Sequence, residues 1–134
     1  MSKSTATRAR PLSPHITVYR WPITMTTSIL HRATGVALYA GTLLVAWWLM
    51  SAATSERYFE FVAWVFGTWV GRLVLFGYTW ALMNHMLGGI RHLIWDTGAG
   101  LEKHTASKIA WTTAALAIVL TIAIWFAGYA ARGA

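Results

Sequence analysis

The sequence predicts an all-α integral membrane protein with three transmembrane helices. Of its 134 residues, 57% are hydrophobic and only 11% are charged, which is too apolar a composition for a soluble domain. Three stretches contain no Asp, Glu, Lys or Arg, namely residues 33–55, 73–90 and 109–131. Because a helix needs about 20 apolar residues to cross the hydrocarbon core, each stretch predicts one crossing.

The basic residues predict the orientation of these helices. Residues 1–32 and 91–108 contain eight of the 11 Lys and Arg residues, and the other three lie in 51–72 and at Arg132. By the positive-inside rule, the N-terminus is cytoplasmic. The N-terminal end lacks the apolar region of a secretory signal and is short for a transit peptide, which favours a bacterial cell inner membrane. We interpret the net charge of +7 as topology and not as a nucleic-acid footprint, because the basic residues lie at span ends.

The chain divides into two predicted parts. Residues 1–22 form a cytoplasmic N-terminal segment that contains all three prolines, which cannot lie inside a helix. Residues 23–134 form the transmembrane anchor domain, with helices at about 23–50, 61–95 and 107–130. Residues 61–71 are either an extension of the second helix or a separate interfacial stretch, because Arg72 follows them. Three helices enclose little space, so we expect a membrane partner to complete the helical bundle.

A histidine lies inside the second predicted span. His85 shares a helical face with Gly88, Gly89 and His92, because positions i, i+3, i+4 and i+7 align. An ionisable side chain at this depth is costly and is by default a functional-site candidate. The glycines leave a recess that a porphyrin needs, so His85 is a candidate axial ligand of haem iron. The alternative is that the glycines pack helices closely and His85 hydrogen-bonds across their interface.

The absence of two residue types limits the functions that this chain can have. The chain has no cysteine, so its own residues cannot ligate an iron–sulfur cluster or attach haem covalently. No Asp or Glu lies within a predicted span, which disfavours a transporter that uses His85 as a proton relay. A purely structural anchor without haem remains the alternative to a redox subunit.

A second polar cluster lies where the first helix enters the membrane. Ser28 and Arg32 are one turn apart, with His31 beside them. A hydroxyl and a guanidinium at this spacing can bind a carbonyl oxygen and stabilise charge that develops on it, as quinone reduction requires. An imidazole and a guanidinium at one level also suit haem propionates. The alternative is that Arg32 extends to the interface and Ser28 bonds to its own helix backbone.

Three segments together resemble the larger cytochrome b membrane-anchor subunit of succinate dehydrogenase (succinate:quinone oxidoreductase, respiratory complex II). They are RPLSPHITVY at 10–19, SILHRATG at 28–35 and HMLGGIRHLIWD at 85–96. The last follows the family pattern H-x-x-x-G-x-R-H-x-x-x-D. Their order and spacing extend the resemblance over nearly the whole chain.

The resemblance implies a role for each candidate residue. His85 matches the axial ligand of haem b, and Ser28 and Arg32 match residues of the ubiquinone-reduction site. His31 matches a residue near the haem propionates. Arg91 and His92 belong to the same motif and are assigned to the surroundings of the propionates or the quinone. No catalytic residue for succinate oxidation is expected in this chain.

The resemblance also implies the partners. A small membrane-anchor subunit supplies the second axial ligand of haem b, and the iron–sulfur and flavoprotein subunits deliver electrons from succinate to ubiquinone. The chain is thus expected to be a subunit of an enzyme of the tricarboxylic acid cycle and electron transport. A haem-free structural anchor and a fumarate reductase-type anchor remain as alternatives.

Overall fold

The structure, a computed structural model, describes residue 15 and residues 18–133. Within them all regular secondary structure is helical: α1 (Ile23–Thr54), α2 (Glu56–Gly67), α3 (Trp69–Asp96) and α4 (Lys103–Arg132). Most of the predicted N-terminal segment, and with it most of the motif at 10–19, lies outside the described residues.

Two helices are each long and apolar enough to cross a membrane, and these are α1 and α4. The third candidate span is the pair α2 and α3, which are bent by 78° at the break between them. The three predicted crossings therefore correspond to α1, the bent pair and α4, and the all-α membrane fold predicted from the charge-free stretches is confirmed.

The break at Thr68 divides the region for which the sequence predicted one helix over 61–95. Thr68 is extended, with a ψ of 160°, and its hydroxyl accepts a hydrogen bond from the backbone N–H of Gly71. A methyl group at Gly71 would overlap the backbone of Val65 and Phe66, so only glycine allows this tight corner. Of the two interpretations of 61–71, the structure has the separate helix, and this helix begins earlier, at Glu56.

Local capping sets the other helix ends. α1 begins at Ile23, directly after Pro22, and continues four residues past the predicted end at residue 50. Ser55 is extended, ends α1 and accepts a hydrogen bond from the N–H of Tyr58 at the start of α2. α4 begins at Lys103 instead of residue 107, because the Glu102 carboxylate accepts from the N–H of Thr105, at 3.0 Å.

The helix α3 is the centre of the bundle and packs against both α1 and α4. Small residues line these interfaces, as is typical of membrane proteins. Lipid provides no hydrophobic driving force for helix association, so the helices associate through close packing of their backbones. Gly41 is one example, because a methyl group there would overlap the ring of Tyr78. Most large apolar side chains face outward instead, towards lipid or partner subunits.

Candidate functional site

Two histidine rings meet at the contact between α1 and α3. The ring centroids of His31 and His85 are 4.0 Å apart, and the planes differ by 6°. Nδ1 of His85 lies 3.0 Å from the backbone carbonyl oxygen of His31. Since a carbonyl oxygen only accepts, Nδ1 of His85 carries the proton and donates it. The other ring nitrogen, Nε2, therefore keeps its lone pair, which is the form of imidazole that binds a metal ion.

A hydroxyl supports the same tautomer. Thr34 is buried and donates to the carbonyl of Leu30 at 2.8 Å, so its oxygen can only accept from His85. The Thr34 oxygen lies 3.5 Å from Nδ1 of His85. Both neighbours of Nδ1 are acceptors, and both belong to α1. The first transmembrane helix thus sets the orientation of a side chain on α3.

Glycines allow the two rings to stack. A methyl group at Gly35 of α1 would lie 3.0 Å from Cε1 of His85, and one at Gly88 of α3 would overlap Nδ1 of His31. Each ring therefore lies over a glycine of the opposite helix. The predicted recess at Gly88 is filled by His31, whereas a methyl group at Gly89 would meet no atom within 4 Å. The open part of the recess is at Gly89.

A buried guanidinium lies two helical turns from His85. Arg91 is 1% exposed, and its Nε and Nη2 atoms have no hydrogen-bond partner among the described residues. Its guanidinium carbon is 5.0 Å from the centroid of the Trp95 ring, within cation–π distance. An always-charged group at this burial requires an anion or further acceptors. The site is therefore electrostatically suited to an acidic ligand group.

His92 joins the same cluster. Its ring centroid is 5.2 Å from that of His31 and 5.3 Å from that of Trp95, with tilted and edge-on geometries. The structure thus brings four of the six predicted site residues together at one end of the α1–α3 contact: His31, His85, Arg91 and His92.

Ser28 and Arg32 lie on α1 outside this cluster. Ser28 is half-buried, and within the described part of the chain its hydroxyl forms no hydrogen bond, whereas that of Thr27 bonds to the backbone of its own helix. The alternative in which Ser28 bonds to the helix backbone is thus not seen. Arg32 is exposed. About 4.5 Å of helix axis separates Ser28 from His31.

Three residues of the site were not singled out from the sequence. Thr34 and Gly35 contact His85 from α1, and Trp95 lies beneath Arg91 and beside His92. One signal was present: Gly35 is one turn from His31, and small residues mark close helix contacts in membranes.

Residues 6–124 match the family of succinate dehydrogenase/fumarate reductase transmembrane subunits. The chain is 47% identical over 113 residues to the succinate dehydrogenase cytochrome b556 subunit of Paracoccus denitrificans, covering 84% of this chain and 87% of that protein. The subunit of the same name from Rickettsia felis is 35% identical over 116 residues, covering 87% and 90%. The mitochondrial cytochrome b560 subunit of Sus scrofa is 47% identical over 94 residues, covering 69% of this chain and 56% of that protein.

Proposed function

This chain belongs to the family of succinate dehydrogenase/fumarate reductase transmembrane subunits, as a membrane-anchor cytochrome b subunit, and from that premise we propose that it shares haem b with a second anchor subunit and helps to form a ubiquinone-reduction site. The relatives named succinate dehydrogenase favour succinate oxidation over the fumarate reductase-type alternative. The bacterial cell inner membrane is the proposed location.

The observation that carries the haem proposal is the hydrogen bond from Nδ1 of His85 to the carbonyl of His31, at 3.0 Å. A metal-binding histidine commonly donates its second ring N–H to a carbonyl, which fixes the tautomer and the ring plane. His85 has this arrangement, and its free Nε2 is the proposed axial donor. When bound, haem b supplies a one-electron redox centre between the iron–sulfur subunit and quinone.

The surroundings of His85 also suit the acidic groups of haem b. Arg91 has two buried nitrogens without a partner in the described residues, and a propionate supplies the anion that such a group requires. His31, which also has a buried ring nitrogen without a partner there, and His92 are proposed as the polar residues around the propionates.

The proposal requires other subunits. Among the histidines of the described helices, His85 is the one whose Nδ1 donates to a backbone carbonyl and leaves Nε2 free, so the second axial ligand is assigned to a small membrane-anchor subunit. The chain contains no cysteine for an iron–sulfur cluster. An iron–sulfur subunit and a flavoprotein subunit therefore carry out succinate oxidation, and this chain anchors them to the lipid bilayer.

The proposed ubiquinone site uses the free hydroxyl of Ser28. This O–H has no backbone acceptor in the described residues, so it is available to donate to a quinone carbonyl oxygen. Arg32, one turn further along α1, stabilises the negative charge that develops on that oxygen as electrons arrive. Ser28 and Arg32 are each within one helical turn of His31 along α1, which supports a quinone site next to the histidine cluster.

The haem proposal is tested by a dithionite-reduced minus oxidised spectrum of the purified complex. The wild-type complex should show paired α and β bands, and His85→Ala should abolish them by removing the axial donor. His104→Ala is the matched control, because His104 is exposed near the start of α4. An unchanged spectrum in the His85→Ala complex would refute the assignment.

The quinone proposal is tested by two activities of one preparation. Ser28→Ala and Arg32→Leu should each lower succinate–ubiquinone reductase activity by about tenfold or more, the scale of losing one hydrogen bond to a charged group. Succinate oxidation with an artificial acceptor should be unchanged. Ser107→Ala is the control for Ser28→Ala, because the Ser107 hydroxyl bonds to the Lys103 carbonyl. Equal activity in the Ser28 and Ser107 variants would exclude Ser28 from the site.

A further inference from the structure

A cavity lies far from the histidine cluster. It has a volume of about 680 Å³ and lies where α1 and α4 end, beneath α2 and beside the start of α3. Its volume is within the range of small-molecule and cofactor sites, about 300–1,000 Å³. One of its lining residues, Arg72, precedes His85 by about 20 Å of helix axis. The proposed haem and quinone residues take no part in it.

The wall of the cavity combines apolar rings with positive charge. Its apolar surface comes chiefly from aromatic side chains, namely Trp48, Phe59, Phe66, Trp125 and Tyr129. The charged residues that line it are both arginines, Arg72 and Arg132, and no Asp or Glu lines it. Both are exposed, and neither forms an ion pair within the described residues. A ligand complementary to this wall has an anionic head and an apolar tail.

The position of the cavity indicates the source of such a ligand. Arg72 and Arg132 lie at the outer ends of their spans, where headgroup phosphates are found. The amphipathic α2 turns away from α3 by 78°, which is the geometry of a helix lying along the interface. Tryptophan and tyrosine side chains at this level are typical of the aromatic belt. We therefore expect this cavity to lie at the level where lipid headgroups meet acyl chains.

We propose that this cavity binds one anionic phospholipid from the leaflet that contains α2. The lipid phosphate lies between Arg72 and Arg132, and an acyl chain lies against Trp125 and the other rings. A zwitterionic lipid fits less well, because its ammonium group would meet the same two guanidinium groups. Bound in this way, the lipid connects α2 with the start of α3 and the end of α4.

The experiment titrates the detergent-purified, delipidated complex with phosphatidylglycerol and, separately, with phosphatidylcholine. Native mass spectrometry counts the bound lipid, and thermal inactivation reports its effect. Wild-type protein should bind one phosphatidylglycerol more tightly than phosphatidylcholine. Arg72→Gln and Arg132→Gln should each weaken phosphatidylglycerol binding by about fivefold, and Arg72→Lys should retain most of it. Arg57→Gln is the matched control, because Arg57 is an exposed arginine of α2 outside the cavity.

Several results would overturn the proposal. Unchanged phosphatidylglycerol binding in both single variants would exclude the arginines, and equal affinity for phosphatidylcholine would remove the charge selectivity. Displacement of the lipid by inorganic phosphate would indicate a site for a free anion. Ala63 lines the cavity and the chain has no cysteine, so Ala63→Cys supplies a single thiol for labelling this subunit. A thiol unreactive in the lipid-free complex would show that another subunit fills the cavity.

Discussion

Replacing Gly88 by alanine is expected to separate the two histidine rings and weaken haem binding. The new methyl carbon would overlap Nδ1 of His31 and lie 3.2 Å from its Cγ and Cε1 atoms. The His31 ring must therefore move away from α3, and the parallel contact with His85 at 4.0 Å is lost. His85 then keeps its carbonyl acceptor but loses the ring that fixes its plane.

The size of the effect follows from three contributions. Overpacking of this kind costs about 1–3 kcal/mol, and loss of a parallel ring contact costs a further ~0.5–1.5 kcal/mol. The better helix propensity of alanine offsets about 1 kcal/mol of this. The net cost is about 2 kcal/mol, which corresponds to a roughly thirtyfold change in the equilibrium constant for haem binding.

The assay compares the haem-to-protein ratio of the purified complexes and the rate at which haem transfers to apomyoglobin. Gly77→Ala is the matched control, because it is the same substitution in the same helix and its methyl group meets no atom within 4 Å. Gly88→Ala should lose haem faster than wild type, and Gly77→Ala should not. Haem retention equal to wild type in the Gly88 variant, or equal loss in both variants, would refute the reasoning.

Three further perturbations test other contacts. Arg91→Leu should lower haem affinity by about 3 kcal/mol, since a buried propionate would lose its countercharge; unchanged haem content would argue against that pairing. Tyr58→Phe removes the acceptor of the Trp47 N–H, at 2.9 Å, and should speed amide exchange in α2 about fivefold by costing roughly 1 kcal/mol. Hydrogen bonds from the backbone of Thr105 and His104 and from the Thr105 hydroxyl lower the pKa of Glu102 from its ordinary value of 4.5. The cap is therefore fully stabilising above that value and is lost as pH falls through the lowered pKa, and exchange of the first α4 amides should accelerate there in wild type but not in Glu102→Gln.

The number of membrane crossings was predictable because a bilayer imposes a length on any apolar helix. The corner at Thr68 was not predictable from the sequence, because residues 61–71 are apolar on both sides of Thr68. The geometry of the corner depends on the close approach of Gly71 to the backbone of α2. A threonine in an apolar run is a weak local signal. The close contact that requires glycine appears only when both helices are in place.

The sequence could indicate candidate site residues but not their contacts. His85 was a candidate because an ionisable group inside an apolar span is costly. Its hydrogen bond to the His31 carbonyl depends on the register in which α1 crosses α3. The spacing of residues along one helix gives no information about that register. The burial of Arg91 depends on the same register, since a cation so near a span end is ordinarily able to reach water.

The acceptor that orients His85 belongs to the main chain, and this has an evolutionary consequence. A carbonyl group is present whatever amino acid occupies position 31, so the imidazole keeps its anchor through any exchange there that preserves the crossing of α1 and α3. An exchange at that position would remove the ring that fixes the imidazole plane and leave the main-chain acceptor in place. The two contacts that orient the proposed iron ligand are thereby open to mutation independently of each other.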